Sequence, residues 1–186
     1  MPSDTIDIIR FLIANKRAGT TDRRCPEFVP SEPRDLHQII RTLQHIDLLP
    51  RPPAAILDLG CGNGIPSCLF SALGYDAYGI DLDEDGITTA AETSDICSKL
   101  FPRFNKPHFA AGNYLPPDVR QRARKEEHVL LDETTDPYAR LGKTPADFDI
   151  FFVYAWLQQN DTIHDLFASH ARPGAKLLVV AASPDI

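Results

Sequence analysis

Several features that would place this 186-residue chain in a special class are scarce or missing. Its longest apolar run, residues 150–157, is far shorter than the ~20 residues that a membrane helix requires. The first seven residues carry two acids and no basic stretch, so they do not resemble a signal peptide. We therefore expect no membrane partner and a cytoplasmic location.

Cysteine is also scarce, with four residues at positions 25, 61, 68 and 97. No two of them form a C-x-x-C pair, which is the spacing typical of structural zinc sites and redox motifs. This pattern favours reduced intracellular thiols over a disulfide framework. We expect no metal site.

Basic residues are outnumbered: 19 Lys and Arg face 26 Asp and Glu, giving a net charge of −7. This charge argues against a generally basic surface, so we do not expect a nucleic-acid partner, although a local basic patch is compatible with it. A hydrophobic content of 43% is ordinary for a globular protein, and the length suits one compact domain.

What the chain does have is a glycine loop directly after a short apolar stretch. Residues 54–59 predict a buried strand, and Gly60, Gly62 and Gly64 follow at every second position. Glycine permits positive φ and lets backbone N–H groups approach a ligand closely. A helix is predicted to begin at Ile65, with Pro66 in its first turn. Such a crossing places a ligand at the carboxyl edge of a parallel sheet.

Two carboxylates flank this loop at informative positions. Asp58 stands two residues before Gly60, where it would repel a pyrophosphate but attract an ammonium or sulfonium group. Asp81 closes a second predicted strand, residues 77–80, and a carboxylate there can accept hydrogen bonds from both ribose hydroxyls. The G-x-G-x-G spacing also differs from the G-x-G-x-x-G of dinucleotide-binding folds, which disfavours a nicotinamide-dependent oxidoreductase.

The runs Asp58-Leu-Gly-Cys-Gly-Asn-Gly64 and Gly79-Ile-Asp-Leu-Asp83 resemble the first two motifs of Rossmann-type (class I) S-adenosylmethionine-dependent methyltransferases. The resemblance implies S-adenosyl-L-methionine as cofactor and S-adenosyl-L-homocysteine as product. It also implies a set of cofactor-binding residues: Asp58, Gly60, Cys61, Gly62, Asp81, Leu82, Asn113 and Tyr154. Asn113 follows a predicted third strand, residues 108–111, and would meet the adenine amino group.

The second half of the chain contains the substrate-side candidates. Residues 148–154 predict a central parallel strand, because they are continuously apolar after Asp149. In the resembled family, the residues after this strand border the methyl group, so the candidates are Tyr154, Trp156, Gln158 and Gln159. No catalytic base can be named. The Asn/Asp-Pro-Pro-Tyr/Phe signature of amino-methyltransferases is missing.

The predicted fold class is α/β, with a doubly wound, mainly parallel sheet and N-terminal helices. Residues 1–53 form an N-terminal helical segment and 54–186 the cofactor-binding core, in one compact domain overall. After a predicted fifth strand, residues 176–182, the two further strands of the resembled family are missing. A minimal branch, a truncated chain, and a dimer or partner covering the sheet edge all stay open as explanations.

Phe28-Val-Pro-Ser31 is similar to a lid of some lysine methyltransferases with this fold, although a proline-rich connector explains it as well. The acceptor is therefore unidentified, with protein lysine or a small molecule favoured over RNA. The leading hypothesis is a methyltransferase. The alternative is a non-catalytic, cofactor-binding regulatory subunit with the same fold.

Overall fold

The computed structural model describes residues 3–15, 33–123, 136–155 and 160–181. The helices are α1 (Ser3–Asn15), α2 (Pro33–His45), α3 (Ile65–Ala72), α4 (Glu84–Leu100), α5 (Pro117–Ala123), α6 (Pro137–Leu141) and α7 (Asn160–His170). The strands are β1 (Ala55–Leu59), β2 (Asp76–Asp81), β3 (His108–Ala111), β4 (Ile150–Ala155) and β5 (Lys176–Ala181).

The five strands form one sheet in the order β3-β2-β1-β4-β5, and every neighbouring pair is parallel. The chain first runs outward from β1 to β3 and then returns to place β4 on the other side of β1. The predicted doubly wound parallel sheet is therefore confirmed. Ligands of such open sheets bind outside the carboxyl ends of the strands, near the point where the strand order reverses.

Side chains that alternate along the strands build two cores, one on each face of the sheet. Ile56 and Phe152 belong to the first core, which α1, α2, α3 and α4 cover. Leu57 and Phe151 belong to the second core, which α5, α6 and α7 cover. Because α1 and α2 share the first core with the strands, residues on both sides of position 53 pack together. The division of the chain at that position stays a prediction.

The apolar pattern of two helices was only partly a guide to burial. On α4, the apolar residues Ala91, Ile96 and Leu100 are exposed, while the buried residues are Ala90, Ser94 and Cys97. Positions 90, 94 and 97 lie on one stripe of the helix, whereas 96 and 100 lie beside it. On α2, Ile39 is likewise 37% exposed although Leu36 and Ile40 are buried.

The segment 136–145 contains α6. At the start of this helix, Asp136 accepts hydrogen bonds from the Tyr138 and Ala139 N–H groups. Tyr138 is buried, and its hydroxyl donates to the Tyr114 carbonyl at 2.6 Å. A short helix therefore packs beside the end of β3. Among the described residues, no helix combines the length and apolarity needed to span a membrane.

Candidate functional site

The glycine loop is fixed between the carboxyl ends of β1 and β2. The Gly60 and Cys61 N–H groups both donate to the Ile80 carbonyl, at 2.9 and 3.1 Å, and the Gly64 N–H donates to the Cys61 carbonyl at 2.8 Å. All three loop glycines have positive φ, between 49° and 73°. L-residues with a Cβ rarely adopt this backbone. The loop therefore has its shape from backbone hydrogen bonds.

Asp81 joins the glycine loop to the segment that follows β2. One carboxylate oxygen accepts from the Gly62 N–H at 2.7 Å, and the other accepts from the Asp83 N–H at 2.9 Å. Burial raises the pKa of Asp81, and these backbone hydrogen bonds oppose that shift. Each carboxylate oxygen has a further lone pair, so Asp81 can still accept from a ligand hydroxyl.

Asp58 lies beneath the start of α3 and is 2% exposed. Its Oδ2 accepts a hydrogen bond from the Ser67 hydroxyl at 2.7 Å. Burial raises the pKa of Asp58 to about 7; the Ser67 hydrogen bond opposes this shift and the nearby Asp81 charge adds to it. A positive ligand group beside Asp58 would favour its ionised form. With so little accessible surface, Asp58 is predicted to attract a ligand mainly through its charge.

Two glycines pack tightly around this loop, whereas a third faces open space. An ideal Cβ on Gly64 would lie 2.6 Å from the Ala90 Cβ, and one on Gly79 would lie 2.8 Å from the Cys61 Sγ. A Cβ on Gly60 would meet nothing within 4 Å. The space beside Gly60 is therefore free for a ligand. Gly60 is two residues from Asp58 in sequence and is hydrogen-bonded to the end of β2, where Asp81 lies. The loop and its carboxylates fit a cofactor that carries a ribose and a cationic group.

The end of β3 reaches the same edge of the sheet. The Gly112 N–H donates to the Asp81 main-chain carbonyl at 2.8 Å, so the loop after β3 is joined to the end of β2. Asn113 is buried, and its Oδ1 accepts from the Leu115 N–H at 2.9 Å. That contact uses the oxygen that was expected to meet an adenine amino group. The adenine contact of Asn113 stays a prediction.

The structure brings the predicted cofactor residues Asp58, Gly60, Cys61, Gly62, Asp81, Leu82 and Asn113 to the carboxyl edge. The thiol of Cys61 is buried below the loop against Gly79, and burial raises its pKa. Tyr154 is half-buried and packs on the first core. Contacts of all these residues with a cofactor stay predictions.

Several predicted positions lie outside the described residues: Trp156, Gln158, Gln159 and the segment 28–31. Two contributors were not foreseen, the Ser67 hydroxyl and the Ile80 carbonyl. A serine in the first turn of α3 was a visible signal for Ser67. The role of the Ile80 main-chain carbonyl could not be predicted from a pattern of side chains.

Comparisons with known proteins agree with this geometry. Residues 40–100 match the family profile of TehB, the tellurite resistance protein, and this range includes the glycine loop and Asp81. An RNA methyltransferase from Salinibacter ruber, solved with S-adenosyl-L-homocysteine, has 15% identity and a TM-score of 0.56, with 85% of this chain and 84% of that chain covered. A candidate RNA methyltransferase from Pyrococcus horikoshii has 12% identity and the same TM-score, with 97% and 76% covered. At these identities the two structures establish the fold.

Curated relatives match about half of the chain. A Caenorhabditis elegans protein named "Probable tRNA (uracil-O(2)-)-methyltransferase" is 32% identical over 96 residues, which are 49% of this chain and 17% of the relative. A Caenorhabditis briggsae protein of the same name is 31% identical over 98 residues, 50% of this chain and 17% of the relative. The match thus spans about a sixth of the relatives' length.

These relatives overturn one expectation. The acidic net charge led us to expect no nucleic-acid partner, and that expectation is wrong, because the matching relatives are named as enzymes acting on tRNA. Net charge describes the average surface, whereas contacts with RNA need only a local set of cations.

The fold agrees with the neighbouring structures, and the glycine loop and Asp81 lie within the range that matches the family profile. S-adenosyl-L-methionine is the cofactor of the family they point to. The chain thus has the fold of Rossmann-type, class I S-adenosylmethionine-dependent methyltransferases, and residues 40–100 match the TehB profile.

Proposed function

We propose that this chain binds S-adenosyl-L-methionine at the carboxyl edge of its sheet and transfers the methyl group to RNA. One observation carries the cofactor half of this proposal: Asp81 holds the Gly62 N–H at 2.7 Å, while the space beside Gly60 is open. A ligand in that space meets a preformed loop, so little ordering is required when it binds.

Each residue of the site has a task that its geometry supports. Asp81 accepts hydrogen bonds from the ribose hydroxyls while it keeps its two backbone contacts. Asp58 provides negative charge near the cationic part of the cofactor. Gly60 leaves room for the ligand, and the end of β3 with Asn113 borders the adenine. The cofactor brings a methyl group already activated on a sulfonium, so the protein mainly aligns the acceptor and excludes water.

RNA is proposed as the acceptor because of the curated relatives, which are named for methyl transfer to an oxygen of tRNA. This proposal replaces the preference for protein lysine or a small molecule. That preference rested on the acidic net charge and on a short similarity at residues 28–31, which lie outside the described part. The cytoplasmic location stays a prediction.

Transfer to a hydroxyl oxygen requires a group or solvent to accept the departing proton. Tyr154, at the end of β4, is the described residue on the predicted substrate side. It is half-buried, so part of the ring is accessible. We assign it no role in proton transfer; its proposed task is to border the methyl group and the acceptor.

The test is an assay with S-adenosyl-L-methionine labelled on its methyl group. Unfractionated tRNA and a lysine-rich protein mixture are offered in parallel, with Asp81→Ala as the variant that lacks the ribose carboxylate. We expect label in the RNA fraction with the wild-type chain and a large loss with the variant.

Other outcomes contradict specific parts of the proposal. Label in protein and not in RNA would exclude the proposed acceptor class. Binding of S-adenosyl-L-homocysteine without label in any acceptor would favour the non-catalytic alternative. No binding by folded protein would reject the cofactor site itself.

A further inference from the structure

A second recess lies at the amino edge of the sheet, opposite the glycine loop. It has a volume of about 360 Å³ and opens between the end of α2, the segment that leads into β1, and the end of α3. Its lining consists of Arg41, Gln44, His45, Arg51, Pro52 and Leu73. We call it the amino-edge cleft. None of these residues takes part in the cofactor site.

Two arginines and a histidine give the cleft a cationic lining. Arg51 donates to the Gln44 carbonyl at 3.3 Å and pairs with Asp47 at 3.2 Å, in an exposed contact. Arg41 makes no hydrogen bond or ion pair with any residue in the described ranges, and it is exposed. The cleft therefore contains a guanidinium group whose donors are available to a ligand.

The base of the cleft is built from buried hydrogen bonds. Tyr75 is fully buried; its hydroxyl accepts from the Gln44 Nε2 at 2.7 Å and donates to the Pro50 carbonyl at 2.8 Å. Burial raises the pKa of Tyr75, and both Arg41 and Arg51 oppose that shift, so both guanidinium groups lie near the hydroxyl. The Tyr75 hydroxyl thus joins α2, which carries Arg41, to the segment that carries Arg51.

Helices α2 and α3 both end at the cleft, and cations complement the carbonyls at helix ends. This accounts for Arg51, which contacts the Gln44 carbonyl. Arg41 begins a full turn before the end of α2 and has no such contact among the described residues. Capping of the helix therefore explains the position of Arg51 but not that of Arg41.

We propose that the amino-edge cleft binds a phosphate group of the RNA acceptor's backbone. The inference rests on the proposed function, since it assumes an RNA acceptor. Guanidinium groups bind phosphate oxygens through paired hydrogen bonds and keep their charge at any physiological pH. In a chain with a net charge of −7, RNA is repelled by the average surface, so its attraction must come from local sites of this kind.

The distance between the two edges sets the size of RNA that can use both. The strands that separate them have five or six residues, and at ~3.3 Å per residue they span about 20 Å. Along a helical strand, with about 3.4 Å of rise per nucleotide, the phosphate in the cleft would lie about six nucleotides from the methylated one. The cleft would therefore act on a folded or long RNA and not on a free nucleoside.

The test measures binding of unfractionated tRNA to the full chain by fluorescence anisotropy over a range of salt concentrations. Arg41→Ala/Arg51→Ala removes the two guanidinium groups, and Arg41→Lys/Arg51→Lys keeps the charge. Lys99→Ala/Arg103→Ala is the matched control, because it removes two exposed cations outside the cleft. Calorimetry with S-adenosyl-L-homocysteine reports on the cofactor site in every variant.

We expect the alanine pair to weaken tRNA binding at least tenfold and to reduce the slope of log K against log salt by about 1 to 2. The lysine pair should lose less affinity than the alanine pair but more than the control, because the charges stay while the paired hydrogen bonds are lost. The control should change the affinity by less than about threefold. Binding of S-adenosyl-L-homocysteine should be unchanged in all three variants. If the double alanine variant does not fold, Arg41→Ala alone is used, since Arg41 has no described partner to lose.

Equal tRNA affinity in the alanine pair and the wild type would overturn the proposal that the cleft binds a phosphate, while leaving the proposed function intact. An equal loss in the control would also overturn it, because the effect would then follow total charge. A wild-type chain that binds S-adenosyl-L-homocysteine but no tRNA would reject the RNA acceptor, and the cleft proposal with it.

Discussion

At the carboxyl edge of the sheet, backbone N–H groups converge on Asp81 and on the Ile80 carbonyl. At the amino edge, Arg41 on α2 and Arg51 in the segment before β1 line a cleft whose base contains a buried tyrosine. The first arrangement fixes one loop in one shape, whereas the second leaves exposed cations free to adjust. This difference suits a small cofactor at one edge and a large polyanion at the other.

The most damaging single change at the carboxyl edge should be Gly64→Ala. Gly60 and Gly64 share the same φ of 73°, so alanine suffers similar backbone strain at both, about 1–2 kcal/mol. At Gly64 the new Cβ also meets Ala90 and Phe109, which adds about 1–3 kcal/mol of overpacking. Urea denaturation of both variants should give the larger loss in Gly64→Ala. Equal losses would show that the loop can relax around position 64.

The second largest effect should come from Asp81→Ala, which should weaken binding of the cofactor. The Gly62 and Asp83 N–H groups lose the carboxylate that accepts their hydrogen bonds. The ribose hydroxyls of the cofactor lose their proposed acceptor as well. We expect binding of S-adenosyl-L-homocysteine to weaken about thirtyfold or more, equivalent to about 2 kcal/mol. The control is Asp85→Ala, which removes an exposed carboxylate from the first turn of α4. If calorimetry shows the same loss in both variants, general charge and not the bridging role explains the effect.

Cofactor affinity should depend on pH through Asp58. Because burial raises its pKa to about 7, Asp58 is largely protonated below that pH, and a cationic ligand must displace the proton. Calorimetry should show affinity for S-adenosyl-L-methionine rising by up to about tenfold from pH 6 to pH 8. Asp58→Asn should flatten this dependence. An unchanged pH profile in that variant would assign the titration to another group.

The raised pKa of Asp58 also predicts how the free energy of unfolding changes with pH. The folded pKa of about 7 lies above the unfolded value, so between about pH 4 and pH 7 the folded state binds more protons than the unfolded state. The contribution of Asp58 to the free energy of unfolding therefore falls as pH rises through that window. Asp58→Asn should gain stability relative to the wild type at pH 8 and much less at pH 4. Thermal denaturation at both pH values measures the difference.

The smallest expected effect lies at the amino edge. Tyr75→Phe removes a hydroxyl that joins Gln44 to the Pro50 carbonyl, and it should lower the free energy of unfolding by about 1 kcal/mol. Affinity for S-adenosyl-L-homocysteine should not change, since the glycine loop is at the other edge. Ser67→Ala is the counterpart at the carboxyl edge and should alter the pH profile of cofactor binding. A loss of cofactor affinity in Tyr75→Phe would show that the two edges are coupled.

The strands and the glycine loop of the carboxyl edge could be predicted from the sequence, because a contiguous run of residues marks each of them. The apolar run that forms β1 ends at the glycine loop, and the run that forms β4 ends near Tyr154. These local signals indicate where the two strands lie in the sequence. The bridge from Asp81 to the Gly62 N–H was not predictable, because it joins two segments through a main-chain atom. The sequence pattern therefore predicted the strands and the glycine loop but not the contacts that hold the loop.

The amino-edge cleft was not foreseen, for a different reason. Its residues come from α2, the approach to β1 and the end of α3, and no spacing in the sequence brings Arg41, Arg51 and Leu73 together. The net charge of −7 moreover concealed a local cationic surface. The exposed Ile96 on α4 reflects a similar limit, since hydrophobicity alone does not say which stripe of a helix meets the sheet.

The central claim is that the open space beside Gly60 is the cofactor site, and one measurement tests it most directly. Wild type and Gly60→Ala are titrated with S-adenosyl-L-homocysteine by calorimetry, with their thermal unfolding measured in parallel. We expect micromolar binding by the wild type, and at least tenfold weaker binding by a folded Gly60→Ala, because the new methyl group enters the ligand's space. Undiminished binding by Gly60→Ala, or no binding by folded wild type at millimolar ligand, would contradict the claim.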